Sequence, residues 1–390
     1  MPTISPLAMT TAVALAASCL LCASARAADA GAPVRAIVDA VILPVMAEHG
    51  VPGMAVAVTV AGKSYTFNYG VASLEKKNRV TDATLFELGS VTKPMTATLA
   101  SYAQVLGKLS LDEHPSKYMP ELKGSPIDKA SVLHLGTYTA GGLPQQLPES
   151  LAEGQMASYF REWKPDAQPG TQRRYSNPSL GLFGHIAALA LQRDFADAME
   201  QQLFVQLGMA SSYLRIPVAA GGDYAWGYDQ ANKPARMRPG VLSGPNYGVV
   251  STASDVMRLV QANIDPGKLA APMRRAVEGT QIAYFHVGGT LQGLGWEQYP
   301  YPVKLAQLVA GNSSAMSVEP NAAQRIDAPA ASSQAILFNK TGATRGFSNY
   351  VAFVPKHKIG IVMLANKSYP SAARVKAAHA ILEQLAPPGQ

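Results

Sequence analysis

Ser90 and Lys93 stand three residues apart at the head of a stretch, Pro94 to Leu106, that reads as helix. Residues three apart on a helix share a face, with Cβ atoms roughly 5–6 Å apart, so the Lys93 amine can reach the Ser90 hydroxyl. A free serine hydroxyl is a weak nucleophile and needs a neighbour to take its proton. A lysine does this once burial or a second cation lowers its pKa. Gly89 permits a tight turn ahead of the helix, and the helix start gives Ser90 a backbone N–H near the positive end of the dipole, where an oxyanion can sit. The same pattern also describes a serine N-cap with a solvated lysine, so further groups must decide.

Two such groups lie downstream. Tyr175-Ser176-Asn177 follows a Pro169-Gly170 turn and precedes Pro178, which places it on a loop before a helix. A tyrosine there is a base if nearby cations lower its pKa from about 10. Asn177 offers an amide to bind substrate or to fix Lys93. Lys340-Thr341-Gly342 ends a strand, where the glycine lets a ligand approach the backbone. Lys340 can serve a tyrosinate or a carboxylate, Thr341 can donate a hydrogen bond, and Ala343 offers a second N–H for an oxyanion. Singly, these triplets also fit a packed turn tyrosine and a surface lysine. Together they put a nucleophile, two candidate bases and oxyanion donors on helix start, loop and strand end.

The elements that must position these groups fall into two kinds. Val34 to Glu48 is an amphipathic helix with Pro44 as a kink or break. Met54 to Val60 and Ser64 to Val71 alternate as a hairpin about Ala61-Gly62-Lys63. Near the other end, Ala335 to Thr341, Phe347 to Val354 and Ile359 to Ala365 are strands, and Ala372 to Leu385 closes as a helix. Between them lie helical stretches at 91–106, 180–191, 195–207 and 254–264, separated by loops rich in Gly and Pro at 141–148 and 217–245. The expected fold is α+β: an antiparallel sheet of about five or more strands, flanked by the N- and C-terminal helices, with an inserted mainly helical domain. The sheet domain takes 28–85 plus 288–390 and the helical domain 86–287, with the site at their interface, where clefts usually form.

Composition narrows the class. The chain has 390 residues, 48% hydrophobic and 15% charged, against the usual charged share of about 25%. Net charge is +7, but basic residues are scattered, with no run longer than Arg173-Arg174 or Arg274-Arg275. No patch or aromatic interleaving supports nucleic acid binding, and a mild positive excess suits small anionic substrates. Residues 1–27 read as an export signal: Ala12 to Ala25 is apolar and Ala25-Arg26-Ala27 fits a cleavage site, although no Lys or Arg precedes the apolar run. Both cysteines, Cys19 and Cys22, fall inside it. A periplasmic protein is expected; a lipoprotein anchored at Cys19 fits less well, because Ala16 stands where a larger aliphatic residue is preferred. The seven histidines show no H-E-x-x-H or similar spacing, so no metal or cofactor is expected. His134 and His185 read as packing or hydrogen-bonding residues, and Trp163, Trp226 and Trp296 as core or wall.

The combination of S-x-x-K with K-T-G belongs to penicillin-binding proteins and class A β-lactamases. With Tyr175-Ser176-Asn177 in place of S-D-N, the chain resembles the class C, AmpC-type serine β-lactamases of the penicillin-recognising serine hydrolases. The resemblance extends through Phe86–Ser90, His134–Pro144, Gln146, Tyr247-Gly248-Val249, Gln292–Glu297 and Val362–Lys367. It implies hydrolysis of β-lactam rings, cephalosporins favoured, through a Ser90 acyl-enzyme, with Lys93, Tyr175 and Lys340 catalytic. It places the oxyanion on the N–H groups of Ser90 and Ala343. Gln146, Asn177, Tyr247, Thr341, Gly342, Arg345, Asn366 and Ser371 are then the substrate-binding positions. It implies a monomer acting on small molecules, without nucleic acid and without membrane attachment once the signal is removed. The chain departs from the pattern at Arg345, where a small residue is common, at Ser368 and Ser371, where asparagines are common, and at Asn339 before Lys340. Arg345 is expected to take over part of the carboxylate binding. The alternatives are a D-alanyl-D-alanine carboxypeptidase or esterase on the same fold and, more remotely, a penicillin-binding sensor, which should carry an output or transmembrane segment.

Overall fold

The computed structural model describes residues 31–386. Residues 1–27, read in the sequence as an export signal, and both cysteines lie outside the described residues. Helix α1 (Ala32–His49) runs on through Pro44 without a break and ends at Gly50, whose φ of +58° is the left-handed stop that glycine favours. Strands β1 (Gly53–Val60) and β2 (Lys63–Gly70) form the expected hairpin. Both turn residues, Ala61 and Gly62, have positive φ, the geometry that matches the twist of a two-residue hairpin.

The sheet is larger than expected. Besides β1 and β2 it contains β3 (Gln172–Arg173), β4 (Ala283–Val287), β5 (Thr290–Gly293), β6 (Glu297–Pro300), β7 (Asn321–Arg325), β8 (Ile336–Ala343), β9 (Ser348–Val354) and β10 (Ile359–Ala365). The order is β2-β1-β10-β9-β8-β6-β5-β4-β7-β3, and every pairing is antiparallel. The unforeseen strands are short or polar. Asn-Ala-Ala-Gln-Arg in β7 has no apolar alternation of its own and is held by pairing with β4.

In β1 and β10, side chains alternate between two apolar layers. Met54, Val56 and Val58 of β1 and Ile361 and Met363 of β10 face Val38 and Ile42 of α1. The closing helix, Ser371–Leu385, adds Val375 and Ile381 to that layer. Ala55 and Ala57, with Val362 and Leu364, face the other way into the larger core, where Val256, Leu259 and Val260 of the helix Ala253–Ile264 cover them. With both faces covered, β10 reads as an unbroken apolar run and is buried at every residue.

Within the larger core, α2 (Thr92–Val105) is buried from Thr92 to Ala103. It packs against α3 (Asn177–Leu191) and against the helix Ala271–Thr280 so closely that a Cβ on Gly279 would lie 2.4 Å from Ser101 Oγ. Its buried hydroxyls find backbone acceptors: Thr98 donates to Pro94 O and Thr96 to Pro245 O, each at 2.8 Å.

His134 has a definite structural task. The one-turn helix Val132–Gly136 is capped by Ser131, whose N–H donates to His134 Nδ1 at 3.0 Å. Burial, then the charges of Arg325 and His114, lowers the His134 pKa to about 4. The unfolded chain takes up this proton near pH 6.5, the folded one only near 4. This contribution to stability is therefore complete above pH 6.5 and is lost as pH falls toward 4, on the order of 2–3 kcal/mol. His134→Gln keeps an acceptor at the third position of the cap and should flatten the dependence of the urea midpoint over that pH interval. An unchanged slope in the variant would assign the acid sensitivity elsewhere.

Candidate active site

Ser90 sits in a single 3₁₀ turn, Gly89–Val91, that runs straight into α2. The turn is pressed against the end of β8. Gly89 has φ +54°, and a Cβ there would lie 2.6 Å from Ala343 O. From the other side, a Cβ on Gly342 would lie 2.2 Å from Leu88 O. Both positions must therefore be glycine for the serine turn and the strand end to meet this closely. That contact brings the backbones of Ser90 and Ala343 together at one end of the cavity.

Three groups converge there. Lys93 Nζ donates to Ser90 Oγ at 2.9 Å and to Asn246 O at 2.9 Å. Tyr175 OH donates to the same Ser90 Oγ at 2.8 Å. Lys93 Nζ and Lys340 Nζ lie 5.1 Å and 5.0 Å from the centre of the Tyr175 ring. Burial pulls the Lys93 pKa down, with Lys340 adding to the fall and Tyr175 opposing it. For Tyr175, burial pushes the phenol up, but the two ammonium groups and the bond to Ser90 outweigh it and the net shift is downward. Lysine and phenol are thus each biased toward the form that accepts a proton.

A buried charge network holds these groups in register. Glu297 Oε1 pairs with Lys340 Nζ at 3.3 Å and with Arg173 Nη2 at 3.4 Å. Arg173 also donates to Gln292 Oε1 at 2.7 Å and to Met316 O at 2.7 Å. Because Arg173 lies in β3 just before Tyr175, the network fixes the phenol loop against the strand that carries Lys340. Tyr138, at φ +62°, packs its ring 4.9 Å from that of Tyr175.

The groups open into a cavity of about 1020 Å³. Gln146, Asn177, Tyr247, Thr341, Gly342, Arg345 and Ser371, all marked in the sequence, line it beside Ser90, Tyr175 and Lys340. Asn177 turns its amide to Gln146 Oε1 at 2.8 Å, and Lys93 makes no hydrogen bond to it among the described residues. Ser371 Oγ donates to Asn312 O at 3.3 Å. Arg345 is exposed on the rim.

Asn366 is a correction. Expected among the substrate-binding positions, it does not line the cavity. Its side chain is fully buried, accepts from Gly53 N at 2.8 Å, and donates to Val71 O at 3.0 Å and Trp226 O at 3.1 Å. It stitches the start of β1 and the end of the hairpin to a distant loop. A sequence match marks the position without telling which way the side chain turns at the end of a buried strand.

Sequence reasoning missed Arg173, Glu297, the Asn246 carbonyl and Arg374. Arg374 is 5% exposed and lines the cavity. One terminal nitrogen donates to Gly342 O at 2.7 Å and Asn349 O at 2.9 Å; its Nε has no partner, and no carboxylate pairs with it among the described residues. The only sequence signal was its place three residues after Ser371, which carries meaning once the closing helix is known to start beside β8. Among the described residues no cluster of three or more His, Cys, Asp or Glu could hold a metal, and no helix is long and apolar enough to cross a membrane.

The reassignment of Asn366 has a direct check. Asn366→Ala leaves buried backbone groups without partners, at a cost of about 2–4 kcal/mol. The urea midpoint should fall at an unchanged denaturant slope. Full stability in the variant would return Asn366 to the list of cavity residues.

Comparison with known proteins identifies the family. A family model described as Beta-lactamase matches residues 38–386. A beta-lactamase of Pseudomonas fluorescens is 48% identical over 353 residues, which cover 90% of this chain and 99% of that protein. A solved structure of a beta-lactamase/D-alanine carboxypeptidase from Pseudomonas syringae superposes with a TM-score of 0.89 at 45% identity, over 91% of this chain and 100% of that one. A class C beta-lactamase in complex with cefoxitin gives a TM-score of 0.87 at 46% identity, over 90% and 99%. With one family matched from α1 to the last described residues, and its class C members sharing the whole fold at this level of identity, the chain belongs to the beta-lactamase family and to its class C, AmpC-type group.

Proposed function

We propose that the chain hydrolyses β-lactam antibiotics, cephalosporins among them, through an acyl-enzyme on Ser90, as an exported monomer of the periplasm. The observation that carries the reading is the double engagement of Ser90 Oγ, by an amine at 2.9 Å and a phenol at 2.8 Å, both with lowered pKa. Lys93 and Tyr175 act as one base and take the hydroxyl proton as Ser90 Oγ attacks the ring carbonyl. The N–H groups of Ser90 and Ala343 hold the oxyanion. The C–N bond of the ring breaks and the leaving nitrogen takes the proton. A water deprotonated by Tyr175 then attacks the acyl carbonyl, the ester bond breaks, and Ser90 recovers its proton. The cavity is lined by Lys340, Arg173, Arg236, Arg238, Arg345 and Arg374 against the two carboxylates of Glu149 and Glu297, a positive excess that suits substrates bearing a carboxylate. Arg374 and Arg345 are the groups that would meet it, Thr341 and Ser371 its neutral partners.

Ser90→Ala should lower kcat/KM for cephalothin by about 10⁴-fold or more, and Tyr175→Phe by about 10²–10⁴-fold. Turnover by Ser90→Ala near the wild-type rate would end the proposal. Cleavage of a D-alanyl-D-alanine peptide, together with slow β-lactam turnover and a long-lived acyl adduct in the mass spectrum, would move the reading to a carboxypeptidase, the second activity in the name of the Pseudomonas syringae neighbour.

The pH profile is a second check. Lowered pKa values put the rising limb of kcat/KM below the range of free phenol and amine. Lys340→Met removes a positive charge beside the phenol, raises the Tyr175 pKa and should shift that limb to higher pH. A limb that stays in place would detach Tyr175 from proton transfer. For the carboxylate, Arg345→Ala should raise KM by about 3–10-fold with little change in kcat; an unchanged KM across several cephalosporins would leave that role to Arg374.

A further inference from the structure

The wall formed by residues 237–248 has two sides. One lines the catalytic cavity. The other faces a second cavity of about 500 Å³, floored by α3 and by the start of the helix Phe195–Ala198. Met237, Pro239 and Gly240 line both. The wall between the two spaces is one chain thick at these residues.

The second cavity has the make-up of a small-molecule site: mainly apolar walls with a few polar groups. Leu189, Phe195, Leu214, Leu242 and Pro245 supply the apolar surface, and Leu189 keeps 40% of its area exposed there. Burial lowers the pKa of His185, leaving a neutral imidazole that makes no hydrogen bond among the described residues. Arg215 is taken up by pairing with both Asp194 and Asp197, so it offers no free charge to a ligand. Arg193 is exposed at the edge of the cavity, and its guanidinium pairs with no carboxylate among the described residues. Glu153 faces His185, so an anionic group belongs at Arg193, and His185 is left for a neutral hydrogen bond.

The link to the nucleophile is covalent and short. Pro245 lines the second cavity, and its carbonyl accepts from Thr96 of α2. The next carbonyl, of Asn246, is the acceptor that holds Lys93 Nζ. Pro245 has no slack toward α3, since a Cβ on Gly184 would lie 2.5 Å from its Cβ. A molecule seated against Pro245 therefore bears on the peptide that orients the lysine.

From this arrangement we infer that the second cavity is a binding site for small amphipathic anions, aryl or alkyl carboxylates and sulfonates. The apolar part sits among Leu189, Phe195 and Leu242, and the anion on Arg193. Occupancy acts on Lys93 through the Pro245–Asn246 peptide. The site itself is independent of the activity proposed above; only its effect on turnover rests on that reading.

The probe is 8-anilinonaphthalene-1-sulfonate, an aromatic anion whose fluorescence reports an apolar site. It should bind with one-to-one stoichiometry. Leu189→Glu, at an exposed position, should weaken it by about 10-fold or more, through lost apolar contact and added negative charge. Arg193→Ala should weaken it by about 2–5-fold. Arg345→Ala, on the rim of the catalytic cavity, should leave it unchanged. Absence of binding, or binding weakened by Arg345→Ala and untouched by Leu189→Glu, would overturn the site. With nitrocefin as substrate, saturating probe should change kcat at constant KM in the wild type and do nothing in Leu189→Glu. Competitive inhibition, or no effect on kcat with the site filled, would overturn the coupling. If nitrocefin is not turned over at all, the fluorescence titration still decides the site.

Discussion

A buried ammonium group without a carboxylate of its own is the constraint on which this molecule depends. Lys93 is fully buried, and its hydrogen-bond partners are a hydroxyl and one backbone carbonyl. Taking such a charge out of water is costly, so the group is driven toward the neutral amine. The fold must then hold it on its partners. α2 is clamped on all sides by α3, by the helix Ala271–Thr280 and by the segment around Pro245, and the lysine has nowhere else to go. The second ammonium group, on Lys340, is treated differently, since Glu297 shares one carboxylate oxygen between it and Arg173. One lysine is biased toward its neutral, proton-accepting form by burial without a counter-ion, and the other is fixed by the presence of one. The phenol of Tyr175 lies beside both.

How much of this was legible follows from how local each signal is. The spacing of Ser90 and Lys93 is a property of a single helical turn, and the contact between them is present. The three C-terminal strands carried long apolar runs and were readable to within a residue or two; Ile359–Ala365 is unchanged. The short strands β3 to β7 were not readable, because segments of two to five residues become strands only through their partners. The Glu297 network is hidden for the same reason: Arg173, Gln292, Glu297 and Lys340 come from four different strands. Arg374 resembled any arginine on an amphipathic helix until the helix start was seen beside β8. Asn366 shows the converse, a position within a familiar stretch whose side chain turns into the scaffold.

Two glycines set how tightly the site is built. Gly89 and Gly342 oppose each other across the contact between the serine turn and the end of β8, and each lacks the atom that would separate them. The backbone of Ala343 meets Gly89 in this contact, while the residue as a whole is exposed and lines the cavity. Close approach of two backbones thus stands where a side chain would otherwise have to supply hydrogen-bond donors.

The pairing of β1 with β10 has a consequence in time. Met54 lies opposite Ala365, and β9 and β8, which carries Lys340, are zipped on beyond β10. The neighbouring strands β1 and β10 therefore come from opposite ends of the polypeptide, a topology of high contact order that folds slowly. A nascent chain can form the turn bearing Ser90 early, yet that turn has no strand to rest on until the last fifth of the message has been translated. Truncated products of the ribosome would carry the nucleophile without a workable reaction centre.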